Sequence, residues 1–375
     1  MTNLLPNQFA VAMMVKNEAD HFHKSFDSVK AFVDRFIILD TGSTDHTIEA
    51  VQTWGTQNGK TIHAKQTAFV NFAVSRNELL DFATSVVTER YIILMDASDE
   101  LRGDVKLLVD FITQDVDAGF IRQLWQCPGD TTMTYYNIRI IKASLNWKYK
   151  GAVHEFISCE SKEQTIFKFP DEIFLYQDRL QDGGKTQHRL ERDYIMLGDE
   201  LRAEPDNART CFYYARTCES LAKFHEAITV YTKRVELQGS FVEELFWSEL
   251  SMAMIYLAHF KQPLMALDHA LKALHYCYRV EPLVLIGQHY LNEKKWYPAF
   301  VFLHAAVELP FPHDAVLFVN KGLYEYARYH LLSLTAFYCG QYQAGYDACM
   351  KAIEAKGQDQ DKKNLVFYKE KLNLQ

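Results

Sequence analysis

FIILDTGSTDHT (residues 36–47) and YIILMDASDEL (residues 91–101) are built alike. Each opens with a continuous apolar run and stops on an aspartate, Asp40 in one and Asp96 in the other. A third run, Ala10 to Val15 (AVAMMV), stops at Lys16-Asn17-Glu18. Short apolar runs bounded by polar residues read as strands buried on both faces. The segments Ala19 to Phe32, Thr44 to Gly55 and Ser75 to Val87 read as helices. Strand and helix in alternation imply a mostly parallel sheet with right-handed crossovers, in which ligands bind beyond the carboxyl ends of the strands. Here those ends bring Lys16, Asn17, Glu18, Asp40 and Asp96 to one rim. That convergence is the main functional signal in the chain.

The 375 residues fit two domains at roughly 150 residues each. A formal net charge of -8 argues against a nucleic-acid binder, though not against a nucleotide. Residues 1–185 hold 19 basic and 25 acidic side chains, net -6, so most of the excess lies on the α/β half. Hydrophobic residues at 48% are enough to build real cores, and 16 Gly with 9 Pro favour long regular elements over tight turns. None of the seven cysteines forms a CxxC pair. The start, MTNLLPNQFA, has no basic segment followed by an apolar one, and no apolar run nears the roughly 18 residues of a membrane span. These features predict a cytoplasmic protein with reduced thiols and no transmembrane segment.

From about Thr186 the spacing becomes helical. Phe224, Ala227, Ile228, Tyr231 and Val235 share one face, and Leu264, Leu267, Leu271 and Leu274 share another. A small residue recurs at Ala227, Ala266, Ala299 and Ala344, at intervals of 39, 33 and 45. The middle interval is near the roughly 34-residue tetratricopeptide period. Glu204-Pro205 and Glu281-Pro282 read as turns between repeats. An ordinary helical bundle with alanines at close contacts is the plainer alternative. The segment from Gly357 reads as a capping helix, with a weak stripe at Leu365, Val366, Tyr368 and Leu372. Ile166 to Tyr176 reads as a last strand, which places the boundary near Gly184: residues 1–184 form the α/β domain and residues 185–375 the helical one.

Four constellations carry chemistry. After Asp40, Gly42 permits a tight turn, Ser43 or Thr44 caps the next helix, and Asp45 adds charge to its first turn. Asp40 has no capping duty in that reading, and its carboxylate suits a nucleobase or ribose. Asp96-Ala97-Ser98-Asp99-Glu100 sets three acids within five residues, a pattern suited to a hard divalent cation. Such a cation neutralises a diphosphate leaving group; an acidic loop with Asp99 as a helix cap is the plain alternative. In Lys150-Gly151-Ala152-Val153-His154-Glu155, adjacent His and Glu offer a metal ligand and a general base, although a solvated strand end reads the same way. Ser75-Arg76-Asn77-Glu78 opens a predicted helix, where an arginine and a helix N-terminus suit phosphate.

In order and spacing these pieces resemble a family-2-type glycosyltransferase of the GT-A fold: MMVKNEAD (13–20), FIILDTGSTDHT, SRNELL (75–80), YIILMDASDEL and RIIK…YKGAVHEF (139–156). The helical half resembles the tetratricopeptide regions fused to one branch of these enzymes. The resemblance implies inverting transfer of a sugar from a nucleotide-diphosphate-sugar donor, a UDP-sugar foremost, to a hydroxyl on a glycan, lipid or protein acceptor, with Mn2+ or Mg2+. Asp40 then matches the acid that contacts the nucleotide, and Lys16, Asn17 and Glu18 border base and ribose. Arg76 and Asn77 match the Arg-Asn beneath the donor, and Asp96 the first acid of the metal motif. His154 matches a metal ligand and Glu155 the base. The second acid of that motif falls on Ser98, so Asp99 is the expected substitute, giving Asp96, Asp99 and His154 as metal ligands.

Two rival readings remain. A sugar-phosphate nucleotidyltransferase needs a Gly-rich loop directly after the first strand, and residues 16–20 (KNEAD) contain no glycine. A degenerate transferase domain serving as a scaffold, with Ser98 as its mark, would work through helical repeats that bind a protein partner or self-associate.

Overall fold

β1 (Phe9–Val15) lies inside the sheet because its residues are apolar on both faces, and all but Met14 are buried. It pairs in parallel with β2 (Val33–Asp40) on one side and β4 (Tyr91–Asp96) on the other. The register sets Asp40 opposite Val15 and Asp96 opposite Met14, so both aspartates flank the end of one strand. β3 (Thr61–Gln66) extends this parallel part beyond β2. Crossovers run through α1 (Phe22–Val29), α2 (Thr47–Asn58) and α3 (Phe72–Val86). The computed structural model describes residues 7–127, 131–151, 153, 155–159, 163–180, 185–237, 239 and 241–374.

Beyond β4 the sheet turns mixed. β7 (Thr131–Lys142) runs antiparallel to β4 and to β6 (Ala118–Cys127). β11 (Ile173–Asp178) lies parallel to β6 and antiparallel to β5 (Glu100–Gly103), and α4 (Leu107–Thr113) links β5 to β6. The strand expected over Ile166 to Tyr176 is two strands, β10 (Ile166–Lys168) and β11, both on β6 and interrupted around Pro170, which has no N–H for a ladder. β8 (Trp147–Lys150) and β9 (Phe156–Cys159) make a separate antiparallel pair. One face of the main sheet packs Phe9, Phe22, Phe26, Phe36 and Phe111. The other packs Leu79 and Leu80 of α3, with Trp147 and Ile157 of the small pair. This second face carries the site.

The chain divides into the units Met1–Glu200 and Leu201–Gln375. Gly184, where the sequence places the boundary, is outside the described residues, and α5 (Lys185–Ala203) follows it. The second unit is a tetratricopeptide-like stack of antiparallel helix pairs. α6 (Ala208–Ser220) packs on α7 (Phe224–Glu236), and α8 (Val242–Ala258) on α9 (Pro263–Tyr276). α10 (Val280–Asn292) packs on α11 (Trp296–Glu308). A π-helical turn, Leu323–Ala327, leads into α12 (Arg328–Tyr338), which packs on α13 (Tyr342–Ala355). α14 (Asp359–Leu372) then covers the end of the stack. No helix among the described residues is long and apolar enough to cross a membrane.

The repeat register differs from the sequence reading at three places. Ala227, Ala266 and Ala299 each stand fourth in the second helix of a pair and are fully buried. In α13 the fourth residue is Gly345, not Ala344, and Gly345 faces the Tyr368 side chain of α14 so closely that a Cβ would overlap the ring. Leu264 and Leu271 are exposed on α9, which turns Ala266, His269, Ala270 and Ala273 inward instead. Small residues let the helices approach, so only Leu267 and Leu274 of the leucine stripe pack against the core, and Leu264 and Leu271 face outward. Glu281-Pro282 is not a turn but the first turn of α10, where proline is tolerated for want of an N–H partner. Gly345→Val should therefore expel Tyr368 and destabilise the protein by about 1–3 kcal/mol in chemical denaturation. The same change at the partly exposed Ala344 should cost far less; equal effects would place the close contact elsewhere.

Candidate active site

The loops after β1 and β2 are laced together. Asn17, in a left-handed conformation (φ 56), donates its N–H to Ser43 Oγ at 2.9 Å, and its Oδ1 accepts from Thr44 N at 2.7 Å. Glu18 N donates to Thr47 Oγ1 at 2.9 Å. The Glu18 carbonyl accepts from His21 N and Phe22 N at the start of α1. Lys16 stands exposed at the head of this loop. α2 starts at Thr47, later than expected, and Asp45 rather than Ser43 or Thr44 accepts from Thr47 N, at 3.1 Å.

Asp40 has a local duty that its sequence position concealed. Its carboxylate is fully buried; Oδ1 accepts from Ser43 N (3.0 Å) and Ser43 Oγ (2.7 Å), and Oδ2 from Gln66 Nε2 (3.0 Å). It fixes the turn that shapes the rim.

Arg76 and Asn77 lie one turn inside α3, whose N-terminus is capped by Asn71 accepting from Val74 N. That cap occupies the helix end expected to receive phosphate. The buried Arg76 side chain donates from Nε to Glu155 Oε1 at 2.6 Å and from Nη2 to Asp96 Oδ1 at 2.8 Å. It lies 5.5 Å from the Tyr149 ring centroid. Asn77 uses its whole carboxamide on Tyr149, donating to its carbonyl at 2.9 Å and accepting from its N–H at 2.7 Å. It docks β8, and with it the segment carrying Glu155, onto α3. His154 lies outside the described residues.

The two expected metal-motif acids face different ways. Asp96, whose side chain is 30% exposed, takes Arg76 on Oδ1 and Arg139 on Oδ2, the latter at 3.2 Å. Burial alone would raise its carboxyl, but Arg76 and Arg139 outweigh that and hold it well below the usual carboxylate range. Asp99 is fully buried. Its Oδ2 accepts from Asp96 N at 2.8 Å, its Oδ1 from Gln177 Nε2 at 2.5 Å, and Arg139 Nη1 stands 3.6 Å away. Burial pushes its carboxyl up from the ordinary value, against the pull of Arg139. Asp99 thus ties the turn after β4 from the inside. No group of three or more His, Cys, Asp or Glu among the described residues is placed to hold a metal ion.

The sequence reading gives no role to Arg139, although the RIIK motif opens on it, and none to Gln177. Arg139 is a lone charge in the apolar run Ile138 to Ile141, and that interruption was the available signal. Gln177 had none, because its role depends on β11 lying beside the turn after β4.

Residues 10–173 match the family described as Glycosyl transferase family 2. The N-terminal unit therefore carries a family 2 glycosyl transferase domain. The chain is 25% identical over 243 residues to the SPbeta prophage-derived glycosyltransferase SunS of Bacillus subtilis (strain 168), covering 62% of this chain and 54% of that protein. The glycosyltransferase SunS of Bacillus phage SPbeta matches to the same extent. The chain thus spans about half the length of the curated relatives it matches. Among solved structures, S. aureus TarS 1-349 in complex with UDP-GlcNAc gives a TM-score of 0.40 at 13% identity, covering 72% of this chain and 91% of that one. YrrB, a TPR protein with an unusual peptide-binding site, gives 0.35 at 15% identity, covering 50% and 88%.

Asn77→Ala should orphan both backbone groups of Tyr149 and cost about 1–3 kcal/mol per group left unpaired. Chemical denaturation reads that loss; parental stability would mean that the β8–β9 pair does not lean on Asn77.

Proposed function

We propose that the protein is an inverting glycosyltransferase that moves a sugar from a nucleotide-diphosphate-sugar donor, a UDP-sugar first among them, to a hydroxyl acceptor on a glycan, lipid or protein. The observation that carries this reading is the Arg76 bridge. It joins Asp96 at a strand end to Glu155, inside a domain that matches the family 2 glycosyl transferases. Glu155 is the base. As the acceptor oxygen bonds to the anomeric carbon, the bond from that carbon to the diphosphate breaks on the opposite face. The bonding pair leaves with the nucleoside diphosphate, and the acceptor proton goes to Glu155. A base so placed contributes about 10² to 10⁴ in rate. Lys16, Asn17 and Glu18, with the turn held by Asp40, border the nucleotide, and Arg76 faces the phosphates.

Charge balance supports a divalent cation, Mn2+ or Mg2+. Arg76 and Arg139 against Asp96, Asp99 and Glu155 leave one net negative charge among these five side chains. A diphosphate adds about two more, and a divalent ion offsets that addition. Of the expected ligands among the described residues, only Asp96 turns a carboxylate toward solvent. That set fits an ion held by one carboxylate and the donor phosphates, a usual arrangement for Mg2+. When bound, the ion would stabilise the departing diphosphate. The tetratricopeptide-like unit is proposed to hold a protein partner, as stacked helical repeats offer an extended surface; self-association is the other use of that surface.

A panel of nucleotide sugars in thermal shift, with Mn2+ and with a chelator, identifies the donor. Binding and hydrolysis failing across the panel would establish the scaffold reading instead. Glu155→Gln should lower transfer by about 10² to 10⁴ and still bind donor; transfer at the parental rate removes Glu155 as base. Asp96→Asn should weaken Mn2+-dependent donor binding about tenfold or more, and Asp99→Asn should leave it within about twofold. The reverse order of effects would make Asp99 the ligand.

A further inference from the structure

Arg76 holds the proposed base in an unreactive arrangement. Glu155 Oε1 accepts the Nε–H at 2.6 Å, and both side chains are largely withdrawn from solvent. The Oε1 lone pair aimed at that N–H is occupied and is not open to a proton from an acceptor hydroxyl. The same guanidinium also holds Asp96 Oδ1, while nothing among the described residues accepts from its third nitrogen, Nη1. Arg76 is therefore spent on two carboxylates along one edge, and the two N–H groups of Nη1 meet no acceptor among the described residues. Such a planar fork suits a phosphate oxygen better than a third carboxylate would, because a phosphate supplies several acceptors within one group.

We propose that Arg76 is a donor-responsive clasp: without nucleotide its guanidinium ties Glu155 to Asp96, and an arriving diphosphate draws it off Glu155, freeing the base only once a donor is present. This deepens the reading of the site as a glycosyltransferase and rests on it. The competition is between acceptors for the same N–H groups. Glu155 leaves the guanidinium when the more highly charged diphosphate takes its place, and Asp96 keeps its second anchor on Arg139 throughout. The exchange orders the reaction, since an acceptor hydroxyl meets a competent base only after the donor is seated. Asn77 keeps the β8–β9 pair docked while the arginine moves, because its own bonds go to the Tyr149 backbone.

The test is a double-mutant cycle on the full chain, read by calorimetric binding of UDP with Mg2+. Glu155→Gln removes the charged competitor, so UDP should bind about tenfold tighter, within the range for directly contacting groups. In an Arg76→Met background the same change should give less than about twofold. A field effect of the Glu155 charge on the diphosphate would instead give equal gains in both backgrounds, and that result, or no gain in the Arg76 background, overturns the clasp. Arg76→Met strands Glu155, leaves Asp96 with Arg139 alone, and can fail to fold. The crystal structure of the parent chain with UDP and Mg2+ then decides. Separation of Arg76 Nε from Glu155 Oε1 supports the exchange; retention of the 2.6 Å contact refutes it. Absence of any UDP binding to the parent chain removes the glycosyltransferase reading and the clasp with it, whereas binding without exchange removes the clasp alone.

Discussion

A guanidinium sealed between helix and sheet is costly unless its charge and its N–H groups are matched. Arg76 is matched by Asp96 from the end of β4 and by Glu155 from the segment before β9. Glu155 has this guanidinium as its cation and Asp96 shares it with Arg139, so three chain segments remote in sequence meet at one side chain. Asn77 does the same for the backbone of β8 through neutral hydrogen bonds. Consecutive residues of α3 thus supply the electrostatic and the geometric halves of one support. α3 itself is fixed by Leu79, Leu80 and Ala83 against the sheet.

Around that support the acids sort by environment rather than by type. Asp40 and Asp99 are fully buried and spend their oxygens on turns, through Ser43 and Gln66 in one case and Gln177 and the Asp96 N–H in the other. Asp96 and Glu155 stay partly open and share an arginine. The buried pair shapes the rim, while Asp96 and, to a smaller extent, Glu155 keep some side-chain surface in solvent. An acidic motif read as a set of equivalent ligands is in fact one outward carboxylate and one inward brace.

The helical unit keeps its repeat more faithfully in the backbone than in the side chains. Ala222, Lys261, Lys294 and Gly340 all take left-handed conformations two residues before the second helix of a pair. Only one of the four is a glycine, so the recurrence is invisible to residue type. It becomes visible once φ is known. The same register makes Gly345 the counterpart of Ala227, Ala266 and Ala299.

The sequence by itself determined the parallel core, because uninterrupted apolar runs ending in charge can be satisfied only as central strands with their polar ends at one rim. It also determined the change to helical repeats, through spacing, and it singled out Asp96, Arg76, Asn77 and Glu155. Tertiary structure decided what each of these does. The direction of a carboxylate depends on which distant groups surround it, and Asp99 turns inward only because Gln177 and Arg139 arrive from β11 and β7. The pairing of Arg76 with Glu155 spans 79 positions and follows from β8 docking on α3, a contact that no local pattern encodes. Local periodicity fixes which face of an element is buried; the partners met on that face come from the packing of the whole unit.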